Sequence, residues 1–185
     1  MVSYYIDKNI KYNGTQLHSH FALKNYGIYG DSIIAFSGPV RVELKEMVDI
    51  EDVLKKEHIA SNNMLSFIIE VFDIDMLGMV ALQRLFMSIL MEEINQIKGY
   101  TIIVRKGDDL YFEDKKLSVS IATASPISKL IHSAVNIVSK GAPVKVISLS
   151  ELNIEAVEFA HIVMDRFVKE FESMKNVRTK VDWVK

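Results

Sequence analysis

Lys116 opens an alternating stretch, Lys116-Leu-Ser-Val-Ser-Ile-Ala-Thr-Ala124. Beyond Pro126 a second stretch, Leu130-Ile-His132-Ser-Ala-Val-Asn136, carries an imidazole and a carboxamide. Period-two alternation puts Lys116, Ser118, Ser120 and Ala122 on one face of the first strand, with Leu117, Val119 and Ile121 on the other. On the second strand Leu130, His132, Ala134 and Asn136 share a face, opposite Ile131, Val135 and Ile137. A symmetric turn about Ser125-Pro126 sets Lys116 opposite Asn136 and Ser120 opposite His132. Burial of the apolar sets against helices should hold that register. A cation beside two hydroxyls, an imidazole and an amide can bind an anion or polarise a carbonyl. Lys116, His132 and Asn136 are therefore the candidate catalytic groups, with Ser118 and Ser120 as substrate contacts. The plain alternative is that Asp114-Lys115-Lys116 forms a solvated turn.

Other residues could complete such a site. Asp108 and Asp109, after Arg105-Lys106-Gly107, could take a polar substrate feature with Arg105, or simply make a hairpin turn. Glu70 alternates with Ile68 and Phe72, so it is either the ion-pair partner of Lys116 or a solvated edge residue. Gln16 and His20 share a face at i, i+4 if their segment is helical. They are candidate substrate contacts but too few for a zinc site, and no metal centre is expected. Gln83-Arg84 falls mid-helix, with Arg84 fronting solvent or a sheet edge.

The elements that must position these groups follow from hydrophobic period and from breakers. Thr15 to Tyr26 reads as a helix capped by Thr15 and stopped at Gly27, with an Asn13-Gly14 hairpin as the competing reading. Ser32 to Ser37 and Met64 to Phe72 read as buried strands, and Asp49 to Ile59 as a charged helix. Met76 to Lys98 has apolar residues at helical spacing, a cap at Asp73 or Asp75, and Gly99 at its end. Strands over Thr101–Arg105, Asp109–Glu113, Lys116–Ala124 and Leu130–Val138 precede a last helix, Ile154 to Met174, with Asn153 as its cap. The chain is thus expected to form one α+β domain over 1–185. Its mixed or antiparallel sheet carries helices on one face and leaves the other partly open for a ligand.

Composition narrows the classes. The chain has 185 residues, 49% hydrophobic and 25% charged, as in ordinary globular proteins. A net charge of -2 disfavours nucleic acid. With no cysteine there is no disulfide, thiolate metal site or cysteine nucleophile. The first residues lack the apolar core of a signal peptide, and no apolar run is long enough to span a bilayer, so a cytoplasmic protein without membrane association is expected. An exposed strand edge is compatible with a homodimer.

Lys116-Leu-Ser-Val-Ser-Ile, Leu130-Ile-His132-Ser-Ala-Val-Asn136 and Gly141 to Leu149 resemble the catalytic core of the lipoate and biotin protein ligases and the octanoyl transferases. A Gln16-bearing helix and Phe36-Ser-Gly-Pro39 extend the likeness over about residues 16 to 152. The whole chain looks closer still to an archaeal-type family known only as a domain of unknown function. Gly30-Asp31-Ser-Ile-Ile-Ala-Phe, Gln83-Arg84, Arg105-Lys-Gly-Asp108-Asp109 and Lys116-Leu-Ser-Val-Ser-Ile-Ala carry that impression. The resemblance implies a biotin/lipoate ligase-like, class II synthetase-like fold. It also implies a lysine, here Lys116 rather than Lys115, at the carbonyl and phosphate region of an acyl-adenylate. Two departures stand out: no glycine lies between Pro39 and Met64, where the ligases carry a glycine-rich phosphate loop, and the transferases' cysteine is missing. A covalent thioester route is excluded, and the use of ATP as cofactor is left open. An acyl- or carboxylate-transferring enzyme, a non-catalytic small-molecule binder on the same fold and an RNA-associated protein are the three expectations, in that order.

Overall fold

The computed structural model describes residues 1–55, 59–141 and 144–184. Its main sheet has five strands in the order β1-β2-β3-β8-β7. These are β1 (Val2–Ile6), β2 (Ser32–Val42), β3 (Ile59–Val71), β7 (Ser118–Ala124) and β8 (Lys129–Asn136). β1 runs parallel to β2, and the remaining pairs are antiparallel. A second, small sheet joins β4 (Val104–Lys106), β5 (Asp109–Phe112) and β6 (Lys115–Lys116). The helices are α1 (Phe21–Tyr26), α2 (Ile50–Lys55), α3 (Met76–Lys98) and α4 (Ala156–Val177). The architecture is α+β with a mixed sheet.

One sheet face packs on α3 and α4. Ile33, Phe67, Ile69, Ile131 and Val135 meet Met79, Phe86 and Leu90 of α3 and Phe159, Val163 and Phe167 of α4. Phe67, Phe86 and Phe167 run edge to face, with centroids 5.1 and 5.0 Å apart, a geometry that favours aromatic quadrupoles. The helices end where their residues dictate. The Asp75 carboxylate accepts the Gly78 N–H at 2.6 Å at the start of α3, and Gly99 turns left-handed at its end.

The other face is not bare. The arm before α1 crosses β2 at Gly38, where an added Cβ would stand 2.1 Å from the Ile10 carbonyl oxygen. The Ile10 and Tyr12 N–H groups donate to Ser37 and Pro39 carbonyls, and Arg41 N–H donates to Tyr12, each at 2.9 Å. Ile6, Tyr12, Phe21 and Ala22 then cover Ile34, Phe36, Met64 and Ile68. Gly38-Pro39 is thus the seat of the arm, and the β2–β3 register shifts there.

Several sequence expectations need correction. Only Phe21–Tyr26 is helical, with His20 rather than Thr15 at its cap position, because Asn13 to His20 is a chain of turns. The charged helix spans Ile50–Lys55, and residues 56–58 of that reading lie outside the described residues. α4 begins after Glu155, whose carboxylate accepts the Glu158 N–H at 2.8 Å, while Asn153 sits left-handed at φ 53°. The hairpin register is off by one. Ser125 and Ser128 close it, with Ser125 N–H donating to the Ser128 carbonyl at 2.8 Å, so Pro126-Ile127 is a two-residue turn. Ile121 therefore faces His132, and Ser120 faces Ser133.

That slip inverts β7. Ser120 points to the helices, where the Gln83 side chain donates to its hydroxyl at 2.9 Å and Ser133 lies 2.7 Å away. Val119 packs with the arm-covered face instead. Leu117, two residues earlier, still belongs to the helix-side core, so the alternation breaks between β6 and β7.

Candidate functional site

A cavity of about 570 Å³ opens on the arm-covered side of β7 and β8. Its apolar lining includes Leu17, Val42, Met64, Val119, Ile121 and Val146. Lys116, His132, Asn136, Ser118, Ser120, Asp108 and Asp109 also line it. Each polar group is already held in a definite way.

Lys116 Nζ sits 2.9 Å from Asp109 Oδ2. Burial works to lower the ammonium's pKa, but the hydrogen bond and charge of Asp109 outweigh it and hold Lys116 above the ordinary lysine value. Burial likewise pushes the Asp109 carboxyl up. The Lys116 hydrogen bond and charge pull it back only in part, and the neighbouring Asp108 charge adds to the rise. Lys116 N–H and carbonyl bond to Lys145 and Ile147, so the residue is clasped between β5 and the 145–147 segment.

Asn136 does not meet the Lys116 ammonium. Its amide donates to the Lys116 and Ile147 carbonyls at 3.4 and 3.3 Å, and Ser61 donates to its oxygen at 3.4 Å. It fastens the 116 and 147 segments to β8. His132 lies flat against Tyr12, with ring centroids 3.6 Å apart and planes 12° apart, and its Nε2 is 3.4 Å from Ser66 Oγ. Burial drives its pKa down to about 3, so the ring is uncharged at neutral pH. It offers a stacking surface and a fixed donor or acceptor. Burial also raises the Tyr12 phenol, which stays protonated.

Asp108 is gripped from α3. Arg84 Nη1 is 3.1 Å from one carboxylate oxygen, and Gln83 donates to the other at 3.3 Å. Arg84 thus braces the cavity wall rather than fronting solvent alone. The Ser118 hydroxyl is spent on the Leu110 N–H at 2.9 Å.

Four expected contacts stand elsewhere. Gln16 bonds Lys11 and Asn13 within its turn. Glu70 is buried and is not paired with Lys116. It accepts the His20 N–H at 2.8 and 3.0 Å and the Ser128 hydroxyl at 2.7 Å, which pins His20 in its left-handed conformation. Arg105 is exposed and bonds Ser88 and Gly107. The reading from sequence missed Tyr12, Met64 and the acidic residues Glu46, Asp49 and Asp52, which also line the cavity. Tyr12 lies 104 residues before Lys116, and no local period marks it.

Among the described residues, a nucleotide triphosphate does not fit this wall. The 43–55 segment that faces the cavity brings Glu46, Asp49 and Asp52 to it, carboxylates in place of the backbone N–H groups and cations a phosphate needs.

The comparisons agree with this picture of the fold. A family model described as "Domain of unknown function (DUF366)" matches residues 1–182. An uncharacterised protein of Methanocaldococcus jannaschii is 36% identical over 160 residues, 83% of this chain and 72% of the relative. A solved protein of unknown function from Pyrococcus horikoshi superposes with a TM-score of 0.93 at 38% identity, covering 100% of this chain and 99% of its own. The biotin protein ligase of Aquifex aeolicus, solved with biotin and ATP, gives a TM-score of 0.62 at 14% identity over 92% of this chain and 73% of the ligase. LipL1 of P. falciparum, solved with lipoate, gives 0.60 at 12% identity over 99% of this chain and 63% of that one. The fold is therefore biotin/lipoate ligase-like. Among the described residues no helix is long and apolar enough to cross a membrane.

Proposed function

The chain belongs to the DUF366 family of unknown function, and on that premise we propose that its cavity binds a small carboxylic acid or acyl compound. The apolar body would lie over Val119, Ile121 and Met64, and the carboxyl or carbonyl end would meet Lys116. One observation carries the reading: a mostly apolar hollow of about 570 Å³ holds a single ammonium in its wall, among the described residues. That volume lies in the range of small-ligand sites, about 300–1,000 Å³. Lysine has three donors and Asp109 takes one, so the others can receive a ligand oxygen. The fold neighbours described above were solved with biotin and with lipoate, small carboxylic acids with apolar bodies, which supports the same class here.

Acyl or carboxylate transfer is the second reading, favoured by the fixed Lys116 ammonium, which can polarise a carbonyl. His132 and Asn136 would then serve as positioning residues.

Mass spectrometry of protein purified without denaturation should reveal a bound acid or acyl compound. A panel of carboxylic acids should raise the unfolding temperature, and Lys116→Ala should weaken the best ligand by on the order of tenfold to a hundredfold, about 1.5–3 kcal/mol for a charge-assisted bond. A panel with no stabilising acid, or a best ligand indifferent to Lys116→Ala, refutes the binding site. Turnover of an activated acyl compound that Lys116→Ala abolishes would establish the transferase.

A further inference from the structure

The charges lining the cavity are unequal. Among the described residues, Glu46, Asp49, Asp108 and Asp109 bring four carboxylates to the lining against the one ammonium of Lys116, and His132 adds no charge at neutral pH. Asp109 is spent on Lys116 at 2.9 Å and Asp108 on Arg84 at 3.1 Å. Glu46 has no ion pair with any cation among the described residues, and neither has Asp49. Asp49 Oδ1 accepts the Glu51 and Asp52 N–H groups at 2.8 and 3.3 Å, which leaves its second oxygen for another donor. Both side chains are half-buried beside Met47 and Val42, and apolar walls of this kind concentrate an electrostatic field.

A ligand bearing only a carboxylate would enter against that field. One that also bears an ammonium would be drawn by it and would fill the acceptors that protein cations leave open. We infer that the compound held here is an amino-bearing carboxylic acid or acyl compound, its acyl end at Lys116 and its ammonium against Glu46 and Asp49. The inference rests on the reading of the cavity as a carboxylate or acyl site and narrows its substrate class. It also accounts for the departure at residues 43–55: a wall that repels a triphosphate is the wall that selects an amine.

Calorimetric titration of the full chain with matched pairs tests it. Straight-chain carboxylic acids of six to ten carbons are compared with their ω-amino derivatives. The best amino acid should bind about tenfold or more tightly than its parent acid, as expected for charge-assisted bonds. Glu46→Gln with Asp49→Asn, where asparagine keeps the bonds to residues 51 and 52, should bring the two within about twofold while leaving the parent acid's affinity the same or higher. Added salt should shrink the preference in the unaltered protein. If the parent acids bind as tightly as their amino derivatives, the inference is overturned and the carboxylate site stands. If neither series binds, the carboxylate site falls and the inference with it.

Discussion

Replacing His132 with phenylalanine isolates what burial of that imidazole costs. In the unfolded chain the ring titrates near pH 6.5, whereas burial against Tyr12 lowers it to about 3 in the folded protein. Between those values the unfolded chain takes up a proton that the folded chain refuses, so stability is lost as pH falls below 6.5 and the full loss is reached below 3. Worked through, the loss is about 2 kcal/mol at pH 5 and about 3 kcal/mol at pH 4. His132 is buried, so solvent screening reduces these figures little. Phenylalanine keeps a flat ring for Tyr12 to stack on and removes the proton site. Measured as denaturant midpoints from pH 7 to pH 4, the unaltered protein should therefore lose stability relative to the phenylalanine variant on acidification. Carboxylates, Asp109 included, titrate in both and cancel in the difference. At this chain length each kcal/mol moves the unfolding temperature by roughly 2–4 °C, so the change at pH 5 is measurable by melting too. Parallel pH profiles for the two proteins, or a His132 imidazole signal, assigned by its loss in the variant, titrating near 6.5 in the folded state, would refute the reasoning.

Three further outcomes follow from the geometry. Gly38→Ala drives a methyl to 2.1 Å from the Ile10 carbonyl oxygen, and the arm must lift off β2; a loss of about 3 kcal/mol or more is expected in thermal melts, at the upper end of overpacking costs, and a near-native melting temperature would contradict the close crossing. Glu70→Leu strands the His20 N–H and the Ser128 hydroxyl and should cost about 2–5 kcal/mol, whereas Glu70→Gln keeps one acceptor and should cost less; equal losses in the two variants would show that the carboxylate is not the clamp. Asp109→Asn removes the charge that holds the Lys116 ammonium up against burial, so the amine should titrate at lower pH than in the unaltered protein; NMR titration of its Nζ showing no fall would break that account.

What the sequence revealed and what it hid have one physical division. α3 was legible from end to end because helical period, the Asp75 cap and the Gly99 stop all act within a few residues. β1 left no signal: of Val2–Ile6 only Ile6 is fully buried, and its parallel partner lies some thirty residues on. Glu70 read as a partner for Lys116 because both were placed on one open face. The arm that takes Glu70 through His20 is a tertiary feature, seated by the Gly38 crossing. Tyr12 was hidden for the same reason.

The inversion of β7 shows how a single turn decides the chemistry. A three-residue loop after Ala124 would have kept Ser118 and Ser120 beside His132 and made a hydroxyl-rich patch. Proline at 126 fits the second position of a tight turn, so the hairpin closes one residue shorter at the Ser125–Ser128 pair. With period two, that one residue swaps the faces. Val119 and Ile121 become part of the cavity wall, while the Ser120 hydroxyl bonds Gln83 and Ser133, and Gln83 bonds Asp108. The polar groups thus form the frame that holds Asp108, and hence the wall beside the Lys116–Asp109 pair, while Met64, Val119 and Ile121 give the cavity apolar surface beside the charged groups of its lining. Such a surface suits a molecule that is itself apolar in the middle and charged at its ends.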